Sequence, residues 1–291
     1  MLLSMTGYGE ASYQSEALSL AVELRALNNR YLKVSVRAPE PYNLLESEFE
    51  KVVRRTIKRG TLQIHLRVQR QYAPQDFQIN TVALRSYVEQ VQGAYPALAA
   101  AVLAGVLALP GVVPEPGTSS LKLDEEWPVM ERVLGEALAK LQAMRQEEGR
   151  AMAQELLALR DHIASHLGDI RARSPQVAVL FRDRLLERVR GLLEGVDVRI
   201  DRNDLIKEVS IFAERSDIAE EVVRLASHLE QFQTIINEPE SAGRKLEFLT
   251  QEMFRESNTI GSKAGDVEIS RHVVEIKGAL EKIRELIQNV E

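Results

Sequence analysis

Strand-period alternation in this chain ends at residue 70, and that limits where a sheet can form. Before that point, apart from one helical segment, the apolar residues alternate with polar ones. SLAVELRALNNRYLKVSVRAP (19–39) and TLQIHLRVQR (61–70) place every second side chain on one face, which is the period of a strand. From about Pro128 the period is that of a helix. EALAKLQAMRQEEGRAMAQELLALRDHIASHLGDIRAR and VAVLFRDRLLERVRGLLEG carry apolar residues at i, i+3, i+4 and i+7, and the rest of the chain continues so. Between the strands, NLLESEFEKVVRRTIKRG (43–60) has helical spacing at Leu44, Leu45, Phe49, Val52, Val53 and Ile57, with acids early, bases late and Gly60 at the C-cap position. SMTGYGEASYQS is a partner strand, with Gly7 and Gly9 permitting an unusual backbone, and residues 80–95 read as helix.

The expected class is therefore α+β. An N-terminal, mainly antiparallel sheet with helices occupies 1–125. A long amphipathic helical hairpin, broken at Ser174-Pro175, occupies 126–202. An all-helical domain occupies 203–291. Gly149 lies inside the first long helix, where glycine is unfavourable, so close approach of another backbone is expected there. At 291 residues the chain exceeds one compact core.

Several function classes drop out. There are no cysteines, so disulfide and thiolate chemistry are excluded, and a reducing, cytoplasmic location fits. The stretch 96–117 is apolar but cut by prolines, which favours a packed helix and loop over a membrane span. No secretory leader is read at the start. No phosphate-binding P-loop, dinucleotide fingerprint, nucleophile elbow or HExxH motif occurs, so ATP-driven work, hydride transfer and zinc peptidase chemistry lack support.

Charge is unevenly placed. Net charge is −6, yet residues 25–70 hold eleven Lys or Arg against four acids, a local surplus of seven. Such a basic segment on an acidic protein suits phosphate binding, or is simply a solvated face.

Two C-terminal stretches are rich in hydrogen-bonding side chains. In DIAEEVVRLASHLEQF (217–232), Glu221, Arg224 and His228 share a face beside Ser227, behind a buried stripe of Val222, Leu225, Leu229 and Phe232. Glu221 and His228 lie two turns apart, about 10 Å along the axis, too far to hold one ion without a second helix. EFLTQEMFRESNTIGSK (247–263) offers that helix. Its Glu252 and Glu256, one turn or about 6 Å apart, suit a hard divalent cation. Arg255 projects near them, and Thr259, Ser262 and Lys263 fall at the helix end, which Gly261 is expected to break. Carboxylates for a metal, a histidine for proton transfer and cations for phosphate charge are the parts of metal-assisted phosphodiester cleavage. Ordinary i,i+4 ion pairs are the competing reading. Of the other histidines, His162 and His166 share a helix face and read as solvated, Glu268 and His272 have ligand-like spacing of the kind chance produces, and His65 sits on the third strand.

SMTGYGEA, ELRALNNRYLKVSVRAPE, IKRGTLQIHLRV, AMRQEEG, SDIAEEVVRLASHLEQF, GRKLEFLTQEMFRESNTIGSKAGDVEIS and EKIRELIQNVE occur in order from residue 4 to the end. Together they resemble the bacterial YicC/YloC family. The resemblance implies a divalent-metal-dependent endoribonuclease, with Mn2+ the usual ion and Mg2+ an alternative, assembled as a hexamer that encloses RNA. Its polar motifs fall on Glu221, Arg224, Ser227 and His228, and on Arg244, Gln251, Glu252, Arg255, Glu256, Asn258, Thr259, Ser262 and Lys263. The N-terminal motif falls on Asn28, Asn29 and Arg30, where many members have Asn-His-Arg. Glu214-Arg215 stands where Asp-Arg is common. The element order is also similar to the ribosomal protein S5 domain 2-like fold.

The combined expectation is an endoribonuclease. Glu252 and Glu256 hold the metal, His228 acts as general acid or base, and Glu221, Arg224, Arg255 and Lys263 complete the catalytic group. Arg25, Asn28, Asn29, Arg30, Arg37, Arg54, Arg55, Lys58 and Arg59, with Arg244, Asn258, Thr259 and Ser262, contact RNA. The partners are RNA and further copies of the chain, with no membrane and no nucleotide cofactor. The alternatives are a non-catalytic RNA-binding assembly factor and an oligomeric helical scaffold.

Overall fold

The computed structural model describes residues 2–71, 77–94, 103–113, 123–192, 202–238 and 242–291. The chain forms two compact units: Tyr8–Gln142, and Ala143–Glu291 together with the segment through Gly7.

In the first unit, β1 (Gly7–Gln14), β2 (Leu18–Leu27), β3 (Lys33–Arg37) and β4 (Thr61–Arg70) make one sheet in the order β1-β2-β4-β3. β2 runs antiparallel to β4, from Leu18 opposite Arg70 to Leu27 opposite Thr61. β3 runs parallel to β4, so the sheet is mixed where alternation alone suggested antiparallel pairing. The cause is α1 (Glu46–Thr56), which carries the chain back to the end of the sheet where β3 began, as parallel neighbours require.

Alternation decides the two faces. Leu20, Val22, Leu24, Leu62, Ile64 and Leu66 are buried, while Arg25, Gln63, His65 and Arg67 are exposed on the other side. Phe49 and Val53 of α1 cover the buried face, joined by Met130, Leu134 and Leu141 from the first turns of α4 (Leu123–Leu192). Trp127 meets Phe49 edge to face, with ring centroids 5.2 Å apart. Helices α2 (Thr81–Ala94) and α3 (Leu103–Leu107) follow the sheet. α3 represents the apolar stretch 96–117; residues 96–102 and 114–117 lie outside the described residues.

The helix α4 runs unbroken through Ser174-Pro175, where the sequence suggested an interruption. A proline inside a helix costs roughly 3 kcal/mol. Ile170 and Val177 on either side are buried, and each contributes about 1.5–3 kcal/mol, so packing overrides the local preference. The partner that returns along α4 is α5 (Arg202–Arg215), whose Phe212 stacks on Phe181 at 3.7 Å.

The second unit's core lies among α4, α6 (Ala219–Asn237), α7 (Gly243–Lys263) and α8 (Val267–Ile287), with Leu156, Ile163, Phe232, Met253, Ile276 and Leu280 among its buried residues. The two ends of the chain meet here. Met5 N donates to Asn289 O at 2.9 Å and Glu291 N to Leu3 O at 2.8 Å. Arg145, only 2% exposed, donates from Nε to Ser4 O at 2.6 Å and pairs with the Glu291 side chain. At Gly149 a Cβ would fall 2.2 Å from Leu2 O; this is the close backbone approach expected of that glycine. Among the described residues, no helix is long and apolar enough to cross a membrane.

Candidate functional site

α6 and α7 are joined by a short connection and run antiparallel, so residues that ascend along one meet residues that descend along the other. Lys263 reaches Glu221, Arg224 reaches Glu256, and His228 meets both Glu256 and Glu252. One donor atom from each of His228, Glu252 and Glu256 lies within 4.8 Å of the others. The hydrophobic stripe that turns Leu225, Leu229 and Phe232 inward also aims His228 along the seam between the helices.

Burial makes this group unusual. Glu256 is 5% exposed and Glu221 6%, and carboxylates are seldom buried so far without partners. Glu256 has Arg224 Nη1 at 3.7 Å, and Arg224 also pairs with Glu220. Glu252 has Arg255 Nη1 at 3.9 Å. Lys263 Nζ donates to Glu221 Oε1 at 2.7 Å, and this bond to a carboxylate holds the ammonium above the ordinary lysine range. Among the described residues, two buried atoms in the seam have no hydrogen-bond partner, His228 Nδ1 and Glu221 Oε2. Each such atom costs about 1–3 kcal/mol unless something else satisfies it. An imidazole and two carboxylates whose donor atoms converge in this way are a donor set that fits a divalent cation.

The remaining candidates in this unit are placed as follows. Glu221 stands apart from the triad, held by Lys263. Arg255 and Asn258 are exposed on α7. The Thr259 hydroxyl donates to Arg255 O at 3.1 Å and that of Ser262 to Thr259 O at 3.0 Å, so both serve their own helix. Arg244 lies eight residues before Glu252, about 12 Å along the axis. α7 does not break at Gly261. It runs to Lys263, and Gly261 instead lets α8 approach, since a Cβ there would lie 3.1 Å from Val273 Cγ1.

In the first unit the basic segment divides between two sides of the sheet. Arg25 and Arg37 line a shallow depression on the open face with Glu23, Ser35, Gln63 and His65, and Arg67 pairs with Glu23. Arg54, Arg55 and Lys58 belong to the helical side. Arg54 bonds Glu50 at 2.9 Å, Arg55 reaches Glu131 at 3.4 Å, and Lys58 donates to Arg54 O at 3.3 Å. Arg59 is half-buried, with an unpartnered Nε. Asn29 shapes the turn, donating to Thr61 Oγ1 at 2.9 Å and accepting from Tyr31 N at 3.3 Å, while Asn28 beside it is exposed. Arg30 lies over the Tyr31 ring, 5.5 Å from its centroid.

Sequence reading set His228 in a groove shared with Glu252 and Glu256 but assigned it to proton transfer, not to metal ligation. It also left His162, His166 and His272 unconnected, although they converge where α4 meets α8. The clue available was spacing: His162, His166 and Asp169 at i, i+4 and i+7, and His272 with Glu275 at i, i+3.

Two family models match the chain, Endoribonuclease YicC-like, N-terminal region, over residues 2–154 and Endoribonuclease YicC-like, C-terminal, over 170–291. A protein of Clostridioides difficile (strain 630) named probable endoribonuclease YicC is 34% identical over 298 residues, covering 100% of both chains. A Haemophilus influenzae protein of the same name is 30% identical over 294 residues, again covering 100% of both.

Proposed function

The chain belongs to the YicC-like endoribonuclease family, and on that premise we propose that it cuts RNA internally with a divalent cation held by His228, Glu252 and Glu256. The observation that carries this reading is the convergence of one donor atom from each of those three side chains within 4.8 Å, in a seam where His228 Nδ1 is buried without a partner among the described residues.

A bound Mn2+ or Mg2+ in such a site supplies Lewis acidity and a water of lowered pKa. Glu252 and Glu256 bring the negative charge that holds the cation, and His228 brings a nitrogen lone pair. Arg224, beside Glu256, and Lys263, beside Glu221, flank the seam with positive charge that suits a phosphodiester and the charge it gains on reaction. Arg255 is exposed next to Glu252 and is placed to hold an adjoining phosphate. His228 therefore acts first as a ligand and orients the site, rather than acting as a free acid or base.

Arg25 and Arg37 on the open sheet face, with Arg30, Asn28 and Asn29 at its turn, would grip the RNA backbone without regard to sequence. Arg54, Arg55, Lys58 and Arg59 are a secondary contact, because three of them already have protein partners. Arg244, Asn258, Thr259 and Ser262 lie along α7 as further RNA contacts. The family resemblance extends this reading to a cytoplasmic homo-hexamer around RNA, built from the domains expected over 1–125, 126–202 and 203–291.

Incubating the purified protein with a structured RNA, with Mn2+ or with EDTA, tests the proposal. It predicts fragments only with metal, and a loss of at least 100-fold in rate for Glu252→Gln and His228→Ala at unchanged circular dichroism. Variants that cut at the wild-type rate would overturn the site. RNA binding without any cutting would leave an assembly factor. Loss of the oligomer in Glu252→Gln before any effect on RNA would leave a scaffold.

A further inference from the structure

Away from the α6–α7 seam, α4 and α8 bring three imidazoles and two carboxylates to one spot. From α4 come His162, His166 and Asp169, and from α8 come His272 and Glu275. His166 Nδ1 and His272 Nδ1 are 2.9 Å apart. His272 Nδ1 is 3.8 Å from Asp169 Oδ2. The rings of His162 and His166 meet edge to face at 4.5 Å. Two overlapping sets each keep their donor atoms within 4.8 Å: His166 with Asp169 and His272, and His162 with His166 and Glu275.

We propose that His166, His272 and Asp169 form a second metal site, selective for a borderline cation of the Zn2+ type, that clips α4 to α8. His162 and Glu275 stand beside it as a fourth ligand or as orienting partners. The geometry suits such an ion. Two imidazole nitrogens on a tetrahedral Zn2+ at about 2.0–2.1 Å lie roughly 3.3 Å from each other, so the two Nδ1 atoms need to separate by only a few tenths of an ångström. Burial, and then His162 and His272 beside it, lower the pKa of His166, which favours the neutral form that ligates.

The ligand type separates this site from the α6–α7 seam. Two imidazoles with one carboxylate favour Zn2+, Co2+ or Ni2+, whereas one imidazole with two carboxylates favours Mn2+ or Mg2+. The backbone needs no rearrangement, because α4 and α8 already share the unit's core through Ile163, Ile170, Ile269, Val273 and Ile276. A cation there would tie two helices that now meet mainly through apolar contact.

The test uses the full chain carrying Glu252→Gln and Glu256→Gln, which removes the seam's carboxylates, freed of metal by chelation. Zn2+ is titrated in competition with a chromophoric chelator, and Co2+ is followed by its visible absorption. One equivalent per chain is expected, with a rise in Tm and a Co2+ spectrum of nitrogen and oxygen ligation. Adding His272→Gln or, separately, His166→Gln should weaken Zn2+ binding at least tenfold and abolish both the spectrum and the Tm rise. His162→Gln should weaken it less. Circular dichroism on each variant separates loss of the site from loss of fold, and two independent substitutions guard against one failing. The proposal is overturned if Zn2+ binds the His272→Gln and His166→Gln chains as tightly as the parent, or if the parent takes up none at micromolar concentrations.

Discussion

Glu256→Gln should change stability in opposite directions with and without metal. Without metal, Glu256 and Glu252 bring carboxylate oxygens within 4.8 Å of each other. Two unit charges at that distance repel by about 3 kcal/mol at an effective dielectric of 20. Glu252 is 29% exposed at its side chain, and screening leaves roughly 1–2 kcal/mol of that repulsion. The opposing attraction from Arg224 acts at 3.7 Å, but Arg224 is 55% exposed, so it contributes only about 0.5 kcal/mol. In EDTA the variant is therefore more stable by about 1 kcal/mol, which raises Tm by roughly 2–4 °C for a unit of this size. With Mn2+ at 100 times its Kd, the wild type gains about 2.7 kcal/mol, and the variant little. The order of the two melting temperatures should then reverse. Differential scanning calorimetry in EDTA and in a Mn2+ series reads both. A variant that melts lower in EDTA, by an amount Mn2+ does not change, would refute the reasoning and make Glu256 a simple ion-pair partner of Arg224.

Three further outcomes follow from named contacts. Asp266 caps α8, accepting from Glu268 N at 3.0 Å and Ile269 N at 3.2 Å, and pairs with Arg173 at 3.1 Å. Burial pushes its carboxyl up, but Arg173 and the two amides outweigh this and hold its pKa below the usual range. Its contribution is thus present above about pH 4 and lost as pH falls through the lowered folded value. Asparagine caps a helix as well as aspartate does, so Asp266→Asn loses mainly the ion pair with Arg173; it should cost about 0.5–1 kcal/mol near neutral pH and flatten the acid limb of urea midpoints measured from pH 2 to 5, and an unchanged limb would contradict the assignment. Gly149→Ala drives a methyl into the Leu2 main chain and should destabilise by about 1–3 kcal/mol. Gly135→Ala on the same helix meets nothing within 4 Å and should stabilise by up to about 1 kcal/mol, so urea midpoints moving in the same direction would contradict the packing. Replacing Arg25 and Arg37 together by Ala should lower the slope of log K against log salt for single-stranded RNA by about 1.4. A slope equal to the wild type's would remove the open sheet face from the RNA path.

Much of this architecture was legible because it depends on period alone. Leu20, Val22 and Leu24 alternate with Glu23 and Arg25, and a half-buried sheet follows wherever such strands pair. Leu225, Leu229 and Phe232 likewise announce the buried side of α6. What the sequence hid is what depends on partners. The parallel register of β3 on β4 comes from the path of α1, which no residue in β3 records. Pro175 sits inside α4 because Ile170 and Val177 are buried at its flanks. Gly261 looks like a stop signal, but it answers to Val273 on another helix. The site divides in the same way. Glu252 and Glu256 are one turn apart on a single helix, so their pairing could be read directly. That His228 joins them is set by the antiparallel register of α6 on α7, and that Glu221 does not is set by Lys263. His162, His166 and His272 are separated by up to 110 residues, and only the packing of α8 on α4 makes them neighbours.

Anomalous diffraction at the manganese edge, from crystals grown with Mn2+, tests the proposed metal centre most directly. The account predicts one strong peak about 2.2 Å from donor atoms of His228, Glu252 and Glu256, and its disappearance in Glu256→Gln crystals. A fully occupied Mn2+ elsewhere, with no density between α6 and α7, would contradict it.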